Sequence, residues 1–191
     1  MIYPCCCNRT YIAQAAAAPQ EGVPEFGPDG RIYPGTCRHR SLSQARPGDA
    51  LRLDMRKAVK ALQKPVTYEE FGEQHSKRIT LKAEALIAQV GDVVLRRKDQ
   101  GAAYHLAVVI DDDAQNITDV VRGADLNAAT QIHVVLQQLL NIPTPRYHHH
   151  SLIRDETGKR LAKRSDSEAL SSLRKAGHSA QDITERLFSA P

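Results

Sequence analysis

The 191-residue sequence predicts an α/β protein, and three stretches carry that expectation. Residues 50–55 (Ala-Leu-Arg-Leu-Asp-Met) alternate apolar and polar side chains, the two-residue period of a half-buried strand. Asp92-Val93-Val94-Leu95-Arg96, introduced by Gly91, reads as a second strand. Further on, Leu126, Ala129, Ile132, Val135, Leu136, Leu139 and Leu140 fall on one face at helical spacing.

Composition sets the outer bounds. Hydrophobic residues make up 41% and charged residues 25%, the balance of a chain able to bury one good core or two small ones. No run of 18 apolar residues occurs, so no membrane-spanning helix is expected, and the N-terminus lacks the charged and apolar regions of a secretory signal. The formal net charge of +4 permits a nucleic-acid partner without demanding one; basic residues gather at Arg96-Arg97-Lys98 and again around Lys159-Arg160 and Lys163-Arg164. Four cysteines, three of them consecutive, make a poor disulfide framework and point to an intracellular, metal-binding use.

Residues 1–47 are punctuated by Pro4, Pro19, Pro24, Pro28, Pro34 and Pro47 and hold few large apolar side chains, so they read as loops that need a staple; the alanines at 15–18 suit a turn or two of helix. Cys5, Cys7 and Cys37 are the candidate staple: thiolates bind Zn²⁺ in a tetrahedron, and three of them leave one position open to Cys6, Tyr33 or His39, of which chemistry alone favours His39 because imidazole is a common ligand. Residues 48–98 contain the two strands named above, with residues 58–62 either prolonging the first or opening a short helix. The polar stretch 66–90 has too weak a period to assign, so a small sheet is the expectation here.

Residues 99–191 carry the sharper signals. Tyr104-His105-Leu106-Ala107-Val108-Val109-Ile110-Asp111-Asp112 has the β-branched content of a strand, yet Leu106, Val109, Ile110 and Asp113 also fit a helical face. Residues 118–121 form a short strand ending at Arg122 and Gly123, with Asp125 as the N-cap of the helix beyond and Pro143 and Pro145 as its stop. His133 on that helix reads as a packing or surface residue. His148-His149-His150 reads as a strand, whose alternating faces prevent the three rings from holding one ion. Ser165 with Glu168 has capping-box form ahead of Ala169, Leu170 and Leu173, Gly177 closes that helix, and Ser179 with Asp182 opens a weaker second one.

A phenol at Tyr104 and a guanidinium at Arg122 bracket the apolar run. These two groups suit a small carboxylate, because the planar fork of Arg matches it bidentately. Taken in order, the Tyr104–Asp112 run, Val121-Arg122-Gly123, His148–Ile153 and Gly158–Arg164 resemble the second half of the catalytic domain of class I glutamyl-tRNA synthetases, and most closely the shortened glutamyl-Q tRNA(Asp) synthetase branch.

The resemblance implies a partial Rossmann-like nucleotide fold with a zinc-bearing insert and C-terminal helices. It implies a zinc insert over 1–47, a connective region that meets the acceptor end of the transfer RNA over 48–98, and the second half of the catalytic fold over 99–191. It makes the stretch after Tyr104 a helix. It selects Tyr33, four residues before Cys37, as the fourth ligand beside Cys5, Cys7 and Cys37. It gives Tyr104 and Arg122 the glutamate substrate. Arg160, Leu161, Ala162, Lys163 and Arg164 then stand where the family has its KMSKS loop, with Ala162 in place of Ser and Arg160 in place of the first Lys. Lys163 is kept and would stabilise the pyrophosphate leaving group of ATP, where charge accumulates during adenylate formation.

The implied activity is ATP-dependent activation of glutamate, with Mg²⁺, and its transfer to queuosine of tRNA(Asp) by a cytoplasmic monomer with no membrane partner. The family's HIGH motif has no counterpart in the sequence, so the chain alone is expected to activate glutamate weakly or not at all. The short stretch after Arg164 favours the shortened branch over a full glutamyl-tRNA synthetase, which stands as the alternative beside a non-catalytic zinc and RNA-binding module.

Overall fold

The computed structural model describes residues 1–16, 25–72, 76–98, 101–154, 158, 160–161 and 169–189. The chain divides into two compact units, Met1–His149 and His150–Pro191. In chain order the first unit holds β1 (Ile2–Cys5), α1 (Arg9–Ala16), β2 (Phe26–Gly27), β3 (Gly30–Arg31), β4 (Ala50–Leu53), α2 (Met55–Ala61), β5 (Val66–Phe71), β6 (Ser76–Leu81) and α3 (Ala83–Ala85), which runs into a π-helical turn at Leu86–Val90. There follow β7 (Val93–Arg97), β8 (Gly101–Ala102), α4 (Tyr104–Ala114), β9 (Asp119–Gly123), α5 (Asn127–Leu140) and β10 (Arg146–His150).

The α/β expectation holds. One sheet has the order β1-β4-β7-β8 with antiparallel pairs throughout; the other has the order β6-β5-β10-β9. In the second, β5 and β6 pair antiparallel over six residues each, and β10 lies parallel to β5 with Tyr147 opposite Glu70. A parallel pair needs a long crossover, and α4 and α5 lie on the chain between these two strands. The stretch 66–90 is thus two strands and a helix; its polar alternation is that of a hairpin with one wetted face, where Val66 and Tyr68 turn inward.

Residues 58–61 belong to α2, with Leu62 as its C-cap; Asp54 caps the other end, its carboxylate accepting from the backbone of Arg56 at 3.1 Å and Lys57 at 3.3 Å. Helix α4 starts at Tyr104, as the family resemblance implies and strand propensity does not. Asp125 is not the cap of α5. A 3₁₀ turn over Ala124–Leu126 delays the helix to Asn127, and its Ncap is Leu126, without a side-chain bond. Helix α5 is also buried more widely than one apolar face, because Ile132 through Gln137 are all buried. It packs against α2, α4, β5 and the π turn and forms the centre of the main core, with Leu53, Met55, Leu86, Val93, Val109 and Tyr147 around it. Asn141 ends it in the left-handed conformation ahead of Pro143.

A second, smaller cluster joins Tyr3, Cys5, Tyr33 and Cys37. Asp92 ties it to the first sheet. Its buried carboxylate accepts from the Tyr3 hydroxyl, from Nε of Arg38 at 2.6 Å and from the backbone of Met55 at 3.1 Å.

In the second unit, Arg154 and Arg160 form an antiparallel bridge, the Leu161 amide donates to the Ile153 carbonyl at 3.0 Å, and Gly158 turns the chain between them at a φ of +80°. Helices α6 (Leu170–Lys175) and α7 (Ala180–Ser189) follow. The Ser179 and Asp182 box is made in both directions, at 3.1 and 2.8 Å. The box at Ser165 and Glu168 lies outside the described residues, and α6 is preceded by Ala169.

Candidate functional site

Tyr104 and Arg122 both stand against His133. Tyr104 opens α4, and its half-exposed ring has its centroid 6.0 Å from that of His133 and 5.4 Å from that of His105. Arg122 lies in β9, and its Nη1 is 3.2 Å from Nδ1 of His133. Gly123 beside it has a φ of −67°, ordinary extended backbone that any residue adopts.

The guanidinium is held on three nitrogens. Nε donates to Nε2 of His149 at 3.1 Å, Nη1 reaches His133, and Nη2 donates to Oγ1 of Thr130 at 2.6 Å. Its carbon also lies 5.2 Å from the centre of the Tyr147 ring. Beyond these partners, Nδ1 of His149 contacts the Glu70 carboxylate at 2.8 and 3.0 Å. Nε2 of His133 lies 3.0 Å from Nδ1 of His105, and Nε2 of His105 lies 3.2 Å from Asp29. Burial pulls the His133 imidazole down to about 3, with Arg122 and His105 adding to the effect, so it is neutral at physiological pH.

Thr130, His133, His149, Glu70 and Asp29 were not legible as site residues. One signal was present: Thr130, His133 and Gln137 recur at three- and four-residue spacing among the buried residues of α5, a polar stripe that burial forces to find partners. The histidine run is a strand, as expected. His148 bonds the Phe71 carbonyl and His149 turns to Arg122 and Glu70, so adjacent rings serve different neighbours.

Beside Tyr104 and His105 lies a cleft of about 1050 Å³, whose walls include Asp29, Arg31, Arg52 and Arg97.

The cysteines converge. The Sγ atoms of Cys5, Cys7 and Cys37 lie within 4.8 Å of one another, with Cys7 and Cys37 at 3.6 Å. The Tyr33 hydroxyl is 3.4 Å from both Cys5 and Cys7. Ligand sulfurs of a tetrahedral zinc site are about 3.8 Å apart, so this donor set fits a metal ion. Cys6 is exposed, its Sγ lies 3.9 Å from that of Cys37 and its carbonyl accepts from Lys98, and His39 is exposed and outside the group. Burial pushes the Cys7 thiol up to about 11. Burial acts the same way on Cys37, but the Tyr33 hydroxyl, the Cys6 backbone and the neighbouring thiols outweigh it and bring Cys37 down to about 6. The cluster already favours one thiolate, the form that metals bind.

Of the basic loop, Arg160 and Leu161 are described and exposed; Ala162, Lys163 and Arg164 lie outside the described residues.

Residues 50–188 match the family described as tRNA synthetases class I (E and Q), catalytic domain. This chain belongs to that family. The glutamyl-Q tRNA(Asp) synthetase of Rhodobacter capsulatus is 51% identical over 186 residues, covering 96% of this chain and 65% of the relative. That of Geobacter sulfurreducens is 40% identical over 175 residues, covering 90% and 49%. The chain therefore spans between about half and two thirds of the length of these curated relatives. A glutamate tRNA ligase from Elizabethkingia meningosepticum, crystallised in complex with its amino acid, shares the fold. It has a TM-score of 0.56 and 21% identity over 93% of this chain and 33% of that one.

Proposed function

We propose that this chain forms part of a glutamyl-queuosine tRNA(Asp) ligase. In this reading Arg122 and Tyr104 hold glutamate while its α-carboxylate oxygen attacks the α-phosphorus of ATP. The bond between the α- and β-phosphates breaks, pyrophosphate leaves, and a glutamyl-adenylate remains. A hydroxyl of queuosine in tRNA(Asp) then takes the glutamyl group and AMP departs. Arg160, Leu161, Ala162, Lys163 and Arg164 meet the ATP phosphates, with Mg²⁺ as the usual companion of the nucleotide, and Lys163 offsets the charge on the leaving pyrophosphate. The protein acts as a cytoplasmic monomer.

One observation carries the reading. Arg122 is clamped by three neutral acceptors and forms no ion pair with a carboxylate among the described residues, beside the half-exposed phenol of Tyr104. A cation fixed but not neutralised is built for an incoming anion. The names of the relatives, glutamyl-Q tRNA(Asp) synthetases, support glutamate as the amino acid and tRNA(Asp) as the acceptor.

The reading also makes Cys5, Cys7, Tyr33 and Cys37 a structural Zn²⁺ site that helps hold residues 1–47 in shape, beside the small cluster around Tyr3 and Tyr33. Purified chain should contain close to one zinc per molecule, and Cys37→Ser should lose it; a wild-type chain without zinc overturns the metal assignment.

Calorimetric titration with L-glutamate tests the amino-acid site. Binding by the wild type and its loss in Arg122→Ala is the expected result, and no binding by the wild type overturns the site. Transfer of labelled glutamate to queuosine-bearing tRNA(Asp), set against tRNA(Glu), tests the acceptor.

A further inference from the structure

Arginine nitrogens donate and never accept, so every atom that Arg122 touches must offer a lone pair. His149 therefore presents a bare Nε2 to the Arg122 Nε–H, and His133 presents a bare Nδ1 to Nη1–H. A neutral imidazole has one N–H and one lone pair, so the proton of each ring sits on its other nitrogen. In His149 that is Nδ1, which faces both oxygens of Glu70 at 2.8 and 3.0 Å. The Asn127 amide reaches the same nitrogen at 3.3 Å, and its two ends are interchangeable. In His133 the proton is on Nε2, which faces Nδ1 of His105 at 3.0 Å; His105 must then accept there and carry its own proton on Nε2, towards Asp29 at 3.2 Å. Each link pairs one donor with one acceptor. An imidazolium at any of the three rings would set N–H against N–H.

We propose that two imidazole relays of opposite tautomer aim Arg122: His133 and His105, both Nε2–H, end on Asp29, and His149, Nδ1–H, ends on Glu70. The relays fix the guanidinium on two sides while keeping each carboxylate at least one ring away, so the positive charge stays available to a ligand. Asp29, Glu70 and the three histidines are positioning residues; they act through Arg122. The relays pass through buried rings, since His133 and His105 are 2% and 7% exposed and the His149 side chain 3%. They join parts of the chain far apart in sequence: the β2–β3 turn, α4, α5, β10 and the β5–β6 hairpin. The inference rests on the reading that Arg122 takes the carboxylate of glutamate.

The test is long-range ¹H–¹⁵N NMR of the imidazoles in the 191-residue chain, with L-glutamate titrated into the same samples. The expected spectra show His105 and His133 protonated at Nε2 and His149 at Nδ1, all neutral near pH 7. His105→Phe should release the His133 tautomer, leave that of His149 unchanged and weaken glutamate binding about tenfold, the cost of one unsatisfied buried donor. His105→Gln, whose carbonyl can accept from His133, should restore both. A His133 protonated at Nδ1, or an imidazolium at any ring in the wild type, overturns the relay whether or not the variants fold. So does a folded His105→Phe chain with tautomer and affinity unchanged. The expected tautomers in a wild-type chain that does not bind glutamate sustain the relay and overturn the glutamate reading instead.

Discussion

Nη1 of Arg122 donates to Nδ1 of His133 across 3.2 Å, a bond that exists only while the histidine is neutral. Burial, with Arg122 and His105 facing it, holds His133 near 3 in the folded chain, whereas an unfolded histidine titrates near 6.5. Between those values the unfolded chain binds the extra proton. The contribution of His133 is therefore complete above about pH 6.5 and is lost as the pH falls towards 3, at up to about 1.4 kcal/mol per pH unit. Urea denaturation of the wild type and His133→Gln between about pH 7 and pH 4.5 checks this; the variant should show the shallower dependence.

Arg122→Lys keeps the charge but offers one ammonium where three separate nitrogens now reach His149, His133 and Thr130. We expect glutamate affinity to fall by about tenfold or more, measured by calorimetry, with His149 released from its single tautomer in the NMR spectrum.

Asp92 is the buried anion that joins Tyr3, Arg38 and the start of α2. Removing it leaves the Arg38 guanidinium, already raised by this partner, without its counter-charge. Asp92→Ala should cost about 3–5 kcal/mol in urea denaturation. Lys57→Ala, which removes only a solvent-exposed partner of Asp54, should cost less than about 1 kcal/mol.

Gly27 sits where the β2–β3 hairpin meets the π turn. A Cβ there would lie 2.3 Å from the carbonyl oxygen of Gln89, a backbone atom that cannot step aside. Gly27→Ala should destabilise the chain by about 1–3 kcal/mol, seen as a lower urea midpoint. It should also disturb the His105 imidazole resonances, because Asp29 lies two residues along the same hairpin.

The strands β4 and β7 and the central helix were legible because their apolar periods survive in one dimension. The helix after Tyr104 was legible only through the family resemblance; its β-branched residues favour a strand, and packing against α5 overrides them. The hairpin over residues 66–81 escaped notice because its outer face is polar and its inner face rests on Val66 and Tyr68. At the site, Tyr104, Arg122 and the three cysteines could be named from residue type and order. The histidines could not, since the partners that give them meaning are 28 residues away for His133 with His105 and 79 for His149 with Glu70.

Glu70 reaches His149 from a hairpin that neither carries Arg122 nor adjoins it in sequence, through the parallel pairing of β5 with β10. A chimera that exchanged residues 66–81 for a foreign ribbon of equal length would leave every neighbour of Arg122 in β9 and α5 untouched. It would still strip His149 of the carboxylate that accepts its Nδ1–H. Grafts at this edge of the sheet must therefore transplant the acid together with the fold.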